Sequence, residues 1–159
     1  VQYARKMGFE VTAVARGHEK ERAAFQLGAH HYIDALSEDA SARLKADGGV
    51  NFILATASDS ETVSGLLPAL APQGKAILLG TGRTPLQIMP GMMIGAERAL
   101  SGSFVSTPAQ TERALRFSHL FQTLPVTEQL PLEQANEALN RLKMGQARYR
   151  MVLTMNQDN

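Results

Sequence analysis

The sequence predicts an α/β fold with a doubly wound, Rossmann-like parallel sheet. Strand-like and helix-like segments alternate through the first half of the 159-residue chain. The connections between them are short, which implies parallel strands joined by right-handed crossovers. Two segments, 50–57 and 75–82, are largely apolar runs of the kind found in strands that are buried on both faces of a sheet.

The first predicted helix is already under way where the sequence starts. Val1, Ala4 and Met7 follow helical spacing, and Gly8 ends the run in the manner of a C-cap. We therefore expect the sequence to be a piece of a longer polypeptide. It is expected to be truncated before the first strand of the fold and before the glycine loop that follows such a strand.

The remaining elements are predicted from apolar periodicity and from Gly, Pro and capping residues. In order they are a strand over 10–16, a helix over 18–29, a strand over 31–34, a helix with Ser37 as N-cap that stops at Gly48-Gly49, a strand over 50–57, a helix beginning near Ser58 or Asp59, and a strand over 75–82. There follow an irregular segment over 83–97, a strand over 99–105, a helix with Thr107 as N-cap and Pro108 at its first position, the segment 126–132, a helix over 132–145 and a strand over 148–155. The sequence has no internal repeat and no domain-sized linker, so we expect one domain.

Composition limits the classes of function. The formal net charge is +1 with no long run of one sign, which argues against nucleic-acid and membrane-surface partners because these need a concentrated basic face. The sequence has no cysteine, so disulfides and thiolate metal ligands are excluded within it, and its four histidines make a poor metal inventory. His30 and His31 are adjacent at the entry to a predicted strand and are expected to point to opposite faces, so they do not easily share one metal ion. We predict a cytoplasmic protein with no metal site in this chain.

Ligands of open parallel sheets bind beyond the carboxyl ends of the strands. Four predicted strand ends therefore matter, and they are Ala15-Arg16-Gly17, Ala55-Thr56-Ala57, Leu79-Gly80-Thr81 and Ser103-Phe104-Val105. Gly80 and Gly82 have two interpretations that stay open. They either let a flat ligand approach the backbone closely or merely form a turn.

Several segments, in order, resemble the zinc-dependent medium-chain alcohol dehydrogenase family. They are VQYARKMGFEVTAVARGHEKERAAFQLGAHHYID, LLPALAPQGKAILLGTG, LSGSFV and LPLEQANEALNRLKMGQARYRMVLTM. The resemblance covers essentially the whole chain and implies that residues 1–159 are a partial nucleotide-cofactor-binding domain. It implies hydride transfer between NADP(H) or NAD(H) and an alcohol or aldehyde. The catalytic zinc ligands would belong to a domain absent from this chain, which alone would be inactive, and the complete protein would be a homo-oligomer.

The resemblance also assigns residues. The family's acidic ribose-binding residue falls on Ala15, which cannot accept hydrogen bonds from a ribose diol, whereas Arg16 could pair with a 2′-phosphate. Lys20 matches a family lysine near the adenosine ribose, so NADP is favoured over NAD. Arg16 as a solvated arginine is the alternative. Further positions matched to the cofactor pocket are Thr56, Leu79, Thr81 and Phe104, with Arg150 matched to the pyrophosphate.

The sequence leaves two other functions open. A zinc-free quinone reductase of the same superfamily would contain the same domain. A non-enzymatic Rossmann module that senses NADP(H) would also have this fold. Zinc ligands in the rest of the protein would exclude the first, and turnover with NADPH and simple aldehydes would exclude the second.

Overall fold

The structure is a computed structural model that describes residues 1–80 and 82–155. The chain divides into two compact units, Val1–Ala109 and Gln110–Asn159.

The first unit alternates short helices and strands, as the sequence predicts. Its elements are α1 (Gln2–Lys6), β1 (Thr12–Ala15), α2 (Glu21–Gln26), β2 (His31–Asp34), α3 (Ala40–Ala46), β3 (Val50–Ala55), α4 (Ser60–Leu66), β4 (Leu70–Leu78), α5 (Pro90–Ile94) and β5 (Ala99–Gly102). Short 3₁₀ turns, His18–Lys20 and Leu67–Ala69, lead into α2 and out of α4.

All strand pairs in this unit are parallel, which confirms the predicted fold class. Strand β1 pairs with β2, and β3, β4 and β5 pair in that order. Val14 of β1 and Val50 of β3 pack against one buried cluster. The chain therefore forms one run of strands from β1 to β2 and a second run from β3 through β4 to β5, which are the two halves that a doubly wound sheet requires.

The pairing departs from the prediction of one continuous sheet. Among the described residues, the strands form a two-stranded sheet and a three-stranded sheet in this unit, and β1 is not hydrogen-bonded to β3. Consequently β1 and β3 each have a strand neighbour on one edge alone within the described residues. Open parallel edges of this kind offer backbone donors and acceptors to a further strand.

The prediction that the strand over 50–57 is buried on both faces is wrong. Phe52 and Leu54 alternate onto one face of β3 and are 56% and 58% exposed. The ring of Phe9 makes an edge-on contact with Phe52 at a centroid distance of 5.7 Å. On the other face of β3, Ile53 packs into the core and Ala55 is buried. One face of β3 is therefore a core face and the other is open.

Two apolar clusters form the core of the first unit. The first contains Ile33, Ala40, Leu44 and Ala69, and joins β2 and α3 to the end of the α4 segment. The second contains Leu67, Leu70 and Ala76, and partly buried residues that include Ile88 and Met92 pack against it. Both clusters use residues of the Leu67–Ala69 turn, which leads directly into β4.

One capping prediction needs correction. The side chain of Asp39, not that of Ser37, caps α3 by accepting a hydrogen bond from the Ala42 N–H at 3.0 Å. The Ser37 hydroxyl instead donates to the Asp34 carbonyl at 3.1 Å. Both residue types can cap a helix, and Ser37 lies too early because a turn separates β2 from α3. The prediction that included Asp59 at the start of α4 is confirmed.

The second unit is a smaller parallel arrangement. It contains most of α6 (Pro108–Phe121), β6 (Thr127–Pro131), α7 (Ala135–Lys143) and β7 (Arg150–Thr154). Strands β6 and β7 pair in parallel, with Thr127 opposite Arg150. Glu128 forms an ion pair with Arg141 of α7 and accepts a hydrogen bond from the Arg148 N–H at 2.6 Å. Glu128 thus connects β6 with α7 and with the residues that lead into β7.

No helix in the parts of the chain that the structure describes combines the length and the apolar character needed to cross a membrane.

Candidate functional site

The turn that follows β1 carries two exposed cations. Arg16 and Lys20 are both exposed, and Lys20 Nζ donates to the Arg16 carbonyl oxygen at 2.5 Å. Gly17 between them has φ +94°, a conformation that L side chains rarely adopt. The turn therefore needs glycine at this position, and it brings the two predicted phosphate-binding residues together.

Two side chains of β2 hold the peptide groups of Gly17. Asp34 Oδ1 accepts from the Gly17 N–H at 2.8 Å and from the Leu36 N–H at 3.0 Å. The Tyr32 hydroxyl donates to the Gly17 carbonyl oxygen at 2.6 Å. Tyr32 and Asp34 lie two residues apart on a strand and so point to the same face. Both hydrogen-bonding groups of one glycine are thus satisfied by the neighbouring strand.

The protonation of both side chains suits these bonds. Hydrogen bonds from the backbone of Leu36, and then of Gly17, lower the pKa of Asp34 below 3.8. Burial, followed by the negative charges of Asp34, Glu19 and Glu21, raises the pKa of Tyr32 above 10.0. At neutral pH, Asp34 is an ionised acceptor and Tyr32 is a protonated donor.

The junction between β3 and α4 lies within electrostatic reach of Arg16. Asp59 caps α4, and its carboxylate accepts hydrogen bonds from the Thr62 hydroxyl and from the N–H groups of Glu61 and Thr62. The Thr62 hydroxyl is the largest cause of the lowered pKa of Asp59, and the charge of Arg16 adds to the lowering. Arg16 after β1 and Asp59 after β3 therefore attract each other electrostatically.

Close packing against backbone explains two of the glycines near the ends of the strands. A Cβ atom on Gly80 would lie 2.2 Å from the Ala57 carbonyl oxygen, and one on Gly82 would lie 2.5 Å from the Ser58 carbonyl oxygen. No carbon atom can approach an oxygen so closely. The turn interpretation of these glycines therefore accounts for their identity without a ligand.

A cavity of 270 Å³ opens beyond the ends of β3 and β4. Its lining comes from the β3–α4 junction, α4 and the segment after β4, and consists of Ala57, Ser58, Ser60, Val63, Leu78, Gly80, Gly82, Thr84 and Leu86. Most of these residues are small, which leaves room near the backbone for a flat or polar group.

Two serines of α4 hold the wall of this cavity in place. Ser60 is 7% exposed, and its hydroxyl donates to the Thr84 carbonyl oxygen at 2.6 Å. The Ser64 hydroxyl accepts from the Gln87 N–H at 2.9 Å. The segment predicted to be irregular over 83–97 is therefore anchored to α4, and it also contains the short helix α5.

The structure groups the predicted site residues in part. Thr56, Leu79 and Phe104 follow the neighbouring strands β3, β4 and β5, and the Leu79 N–H donates to the Ala55 carbonyl oxygen at 2.9 Å. Phe104 is 91% exposed. Arg16 and Lys20 form a second group after β1. Arg150 lies on β7 of the other unit and is exposed. Thr81 lies outside the described residues.

Sequence reasoning missed three polar residues of this region, namely Tyr32, Asp34 and Asp59 as a neighbour of Arg16. The feature that links two of them to the turn is the register of β1 with β2, which the sequence alone does not show. In parallel pairing of β1 with β2, Ala15 lies opposite Asp34 and Ala13 lies opposite Tyr32. Tyr32 and Asp34 share a face of β2 because alternate residues of a strand do, and both form hydrogen bonds with Gly17 of the turn that follows β1.

The described residues form no cluster of metal-ligating side chains. Among the described residues, no three His, Asp or Glu side chains are grouped so that they could hold a metal ion. The sequence contains no cysteine.

Parallel strand pairs and short crossovers define a Rossmann-like α/β domain. The family model described as zinc-binding dehydrogenase matches residues 1–119. The chain therefore belongs to the zinc-binding dehydrogenase family, as the resemblance predicted.

Named relatives agree with this assignment. The chain is 38% identical over 157 residues to the alcohol dehydrogenase notN of Aspergillus sp. (strain MF297-2), which covers 98% of this chain and 45% of that protein. It is 34% identical over 154 residues to the aldehyde reductase AdhA of Synechocystis sp., covering 97% of this chain and 45% of that protein. The chain thus spans a little under half the length of these relatives.

A solved structure shares the fold. A cinnamyl alcohol dehydrogenase of Sorghum bicolor matches 96% of this chain and 43% of its own chain, with 25% sequence identity and a TM-score of 0.84.

Proposed function

We propose that this chain is part of the nicotinamide-cofactor-binding domain of an alcohol dehydrogenase or aldehyde reductase. The complete protein would transfer a hydride between NADP(H) and an alcohol or carbonyl carbon. The observation that carries the proposal is the turn after β1, where Ala15 offers no acceptor and where Arg16 and Lys20 are exposed. The cofactor supplies the hydride chemistry, and residues of this chain bind and orient it.

The chemistry of the turn supports NADP(H) over NAD(H). In Rossmann-type sites an acidic residue holds the ribose 2′-hydroxyl of NAD, whereas an arginine accommodates the 2′-phosphate of NADP. Ala15 removes the negative charge that would repel a phosphate. Arg16 offers a planar guanidinium that can donate two hydrogen bonds to phosphate oxygens. Lys20 adds a second charge on the same turn.

The other strand ends would hold the rest of the cofactor. We assign Thr56, Leu79, Thr81 and Phe104 to the adenine and nicotinamide pocket, since the described members of this set follow adjacent strands. The cavity beyond β3 and β4 lies at the same edge of the sheet. Arg150 is assigned to the cofactor pyrophosphate on the resemblance alone.

The chain is proposed to be a partial domain of a longer protein. Its relatives are more than twice as long as the matched region. Strands β1 and β3 each have an open edge within the described residues, and one further strand between them would complete the strand order of a dinucleotide-binding sheet. Such a strand would lead into the glycine loop. The zinc ligands would come from the rest of the protein.

Titration of the full-length protein with NADPH and NADH tests the cofactor assignment. Arg16→Ala should weaken NADPH binding by about tenfold or more, because a charge-assisted hydrogen bond is worth roughly 1.5–3 kcal/mol. NADH binding should change little. Arg22→Ala removes the same charge from an exposed position on α2 and serves as the matched control.

Unchanged NADPH affinity in Arg16→Ala would contradict the assignment. Equal losses in Arg16→Ala and Arg22→Ala would show a general charge effect instead of a phosphate contact. Turnover of simple aldehydes with NADPH separates an enzyme from a sensing module, and zinc analysis of the purified protein separates it from a zinc-free quinone reductase. Light scattering tests the predicted homo-oligomer.

A further inference from the structure

We propose that Tyr32 and Asp34 are positioning residues that set the preference of this site for a 2′-phosphorylated cofactor by fixing the turn that bears Arg16. The inference rests on the proposed function and extends it to two residues that contact the turn and not the cofactor. It is carried by the hydrogen bonds of Gly17, by the conformation of that glycine and by the register of β1 and β2.

The first step concerns the backbone of Gly17. Its N–H donates to Asp34 at 2.8 Å and its carbonyl accepts from Tyr32 at 2.6 Å, so both polar groups of the residue are bound by β2. Gly17 adopts φ +94°, and as a glycine it could adopt many other backbone conformations as well. Glycine loses more conformational freedom on ordering than any other residue. These two hydrogen bonds therefore select one conformation at the most flexible point of the turn.

The second step concerns Arg16. It precedes Gly17 directly, so rotation about the bonds of Gly17 separates Arg16 from the following 3₁₀ turn, His18–Lys20. The Lys20 ammonium reaches back to the Arg16 carbonyl oxygen at 2.5 Å. That contact depends on the conformation of Gly17. Release of Gly17 would therefore break the contact between the Lys20 ammonium and the backbone of Arg16, two residues that are proposed to bind one phosphate.

The third step concerns specificity. NADP and NAD differ in the 2′-phosphate, so a defect in the position of Arg16 and Lys20 affects NADPH and leaves NADH binding nearly unchanged. A purely structural role of Tyr32 and Asp34 would instead weaken both cofactors equally, because the whole domain would lose stability. The ratio of the two dissociation constants therefore distinguishes positioning from general stability.

The experiment uses the full-length protein with NADPH and NADH as probes. Tyr32→Phe removes one hydroxyl and should raise the NADPH dissociation constant about 2- to 10-fold, the value of one hydrogen bond, with NADH unchanged. Asp34→Ala should have a larger effect, and Asp34→Asn should restore most of the affinity because its amide oxygen can still accept from Gly17. In the Arg16→Ala background, Tyr32→Phe should have a smaller effect than in the wild type.

Asp39→Ala is the matched control. Like Asp34, Asp39 accepts a hydrogen bond from a backbone N–H, in its case that of Ala42 in α3. Among the described residues, no hydrogen bond joins Asp39 to the turn that follows β1. Its substitution should lower thermal stability without a change in the cofactor ratio.

Three outcomes decide the matter. A selective loss of NADPH affinity in Tyr32→Phe and Asp34→Ala supports the inference. If these two variants lose affinity equally for NADPH and NADH, or lose none, the inference is refuted. The proposed function then still stands provided that Arg16→Ala strongly weakens NADPH binding. No effect of Arg16→Ala refutes the proposed function and this inference together.

Discussion

Replacement of Gly80 by alanine should destabilise the sheet edge that forms the candidate site. A Cβ atom at this position would lie 2.2 Å from the Ala57 carbonyl oxygen, 2.6 Å from the Ala57 carbonyl carbon and 2.9 Å from the Thr56 carbonyl oxygen. Favourable carbon contacts begin near ~3.5 Å, so the oxygen of Ala57 must move by roughly 1 Å. All three atoms belong to backbone, and no side-chain rotation can relieve the clash.

The energetic cost follows from what holds this backbone. The N–H groups of Leu79 and Gly80 both donate to the Ala55 carbonyl oxygen, at 2.9 and 3.2 Å. A shift that relieves the clash must weaken one of these bonds, at about 1 kcal/mol, in addition to the roughly 1–3 kcal/mol typical of overpacking. We therefore expect Gly80→Ala to lower the free energy of unfolding by about 2–4 kcal/mol.

Gly65→Ala provides a matched control. Gly65 lies within α4, and a Cβ atom there would meet no atom within 4 Å. Alanine in a helix interior should stabilise the protein by about 0.5–1 kcal/mol relative to glycine. Urea unfolding followed by far-ultraviolet circular dichroism should therefore place Gly80→Ala below the wild-type midpoint and Gly65→Ala above it. A Gly80→Ala midpoint equal to that of the wild type would refute the steric argument.

Two further predictions concern charge. The lowered pKa values of Asp34 and Asp59 mean that their contribution to stability is complete above the ordinary value of 3.8 and is lost as the pH falls through the lower folded-state values. The variant with both residues replaced by Asn should thus lose less stability below about pH 4 than the wild type, measured by thermal unfolding across that range. Glu128→Ala removes the partner of Arg141 and of the Arg148 N–H. It should cost about 1–3 kcal/mol in the second unit, seen as faster hydrogen exchange in β6 and β7, whereas Glu128→Gln should cost less.

Elements bounded by local signals could be predicted from the sequence. The strand His31–Asp34 was predicted with its observed bounds, and the long helix begins at Pro108 as expected. In both cases a residue with a strong backbone preference marks the boundary, either at the first residue of the element or at the end of the element before it. Gly28 with φ +98° precedes β2, and Pro108 suits the first turn of a helix.

Elements whose bounds depend on pairing could not be predicted. Strand β4 begins at Leu70, five residues before the predicted start at Lys75, because Val50 pairs with Leu70 before the register shifts and Phe52 pairs with Lys75. This irregularity carries the strand past Pro72. Proline is a poor strand residue in isolation, so local propensity placed the start after it.

The candidate site shows the same division. Arg16 could be placed at a strand end because the strand and its turn are local features, and Lys20 could be matched through the family resemblance. Their supports could not, since the Asp34 carboxylate contacts a residue 17 positions away and depends on the register of β1 with β2. The register of two parallel strands pairs residues that are distant in the sequence, and the sequence around either residue does not identify its partner.

The position of Asp34 bears directly on the choice of cofactor. Asp34 lies opposite Ala15, so a carboxylate is present beside the end of β1 although β1 itself ends without one. A carboxylate free to bind a ribose diol would favour NAD and weaken the argument from Ala15. Its Oδ1 atom instead accepts from two backbone N–H groups of the turn and of the residues after β2. An acceptor that binds the backbone in this way helps to position Arg16. The difference in NADPH affinity between Asp34→Asn and Asp34→Ala measures this effect. Tighter NADPH binding in Asp34→Asn would instead mean that its negative charge opposes the phosphate.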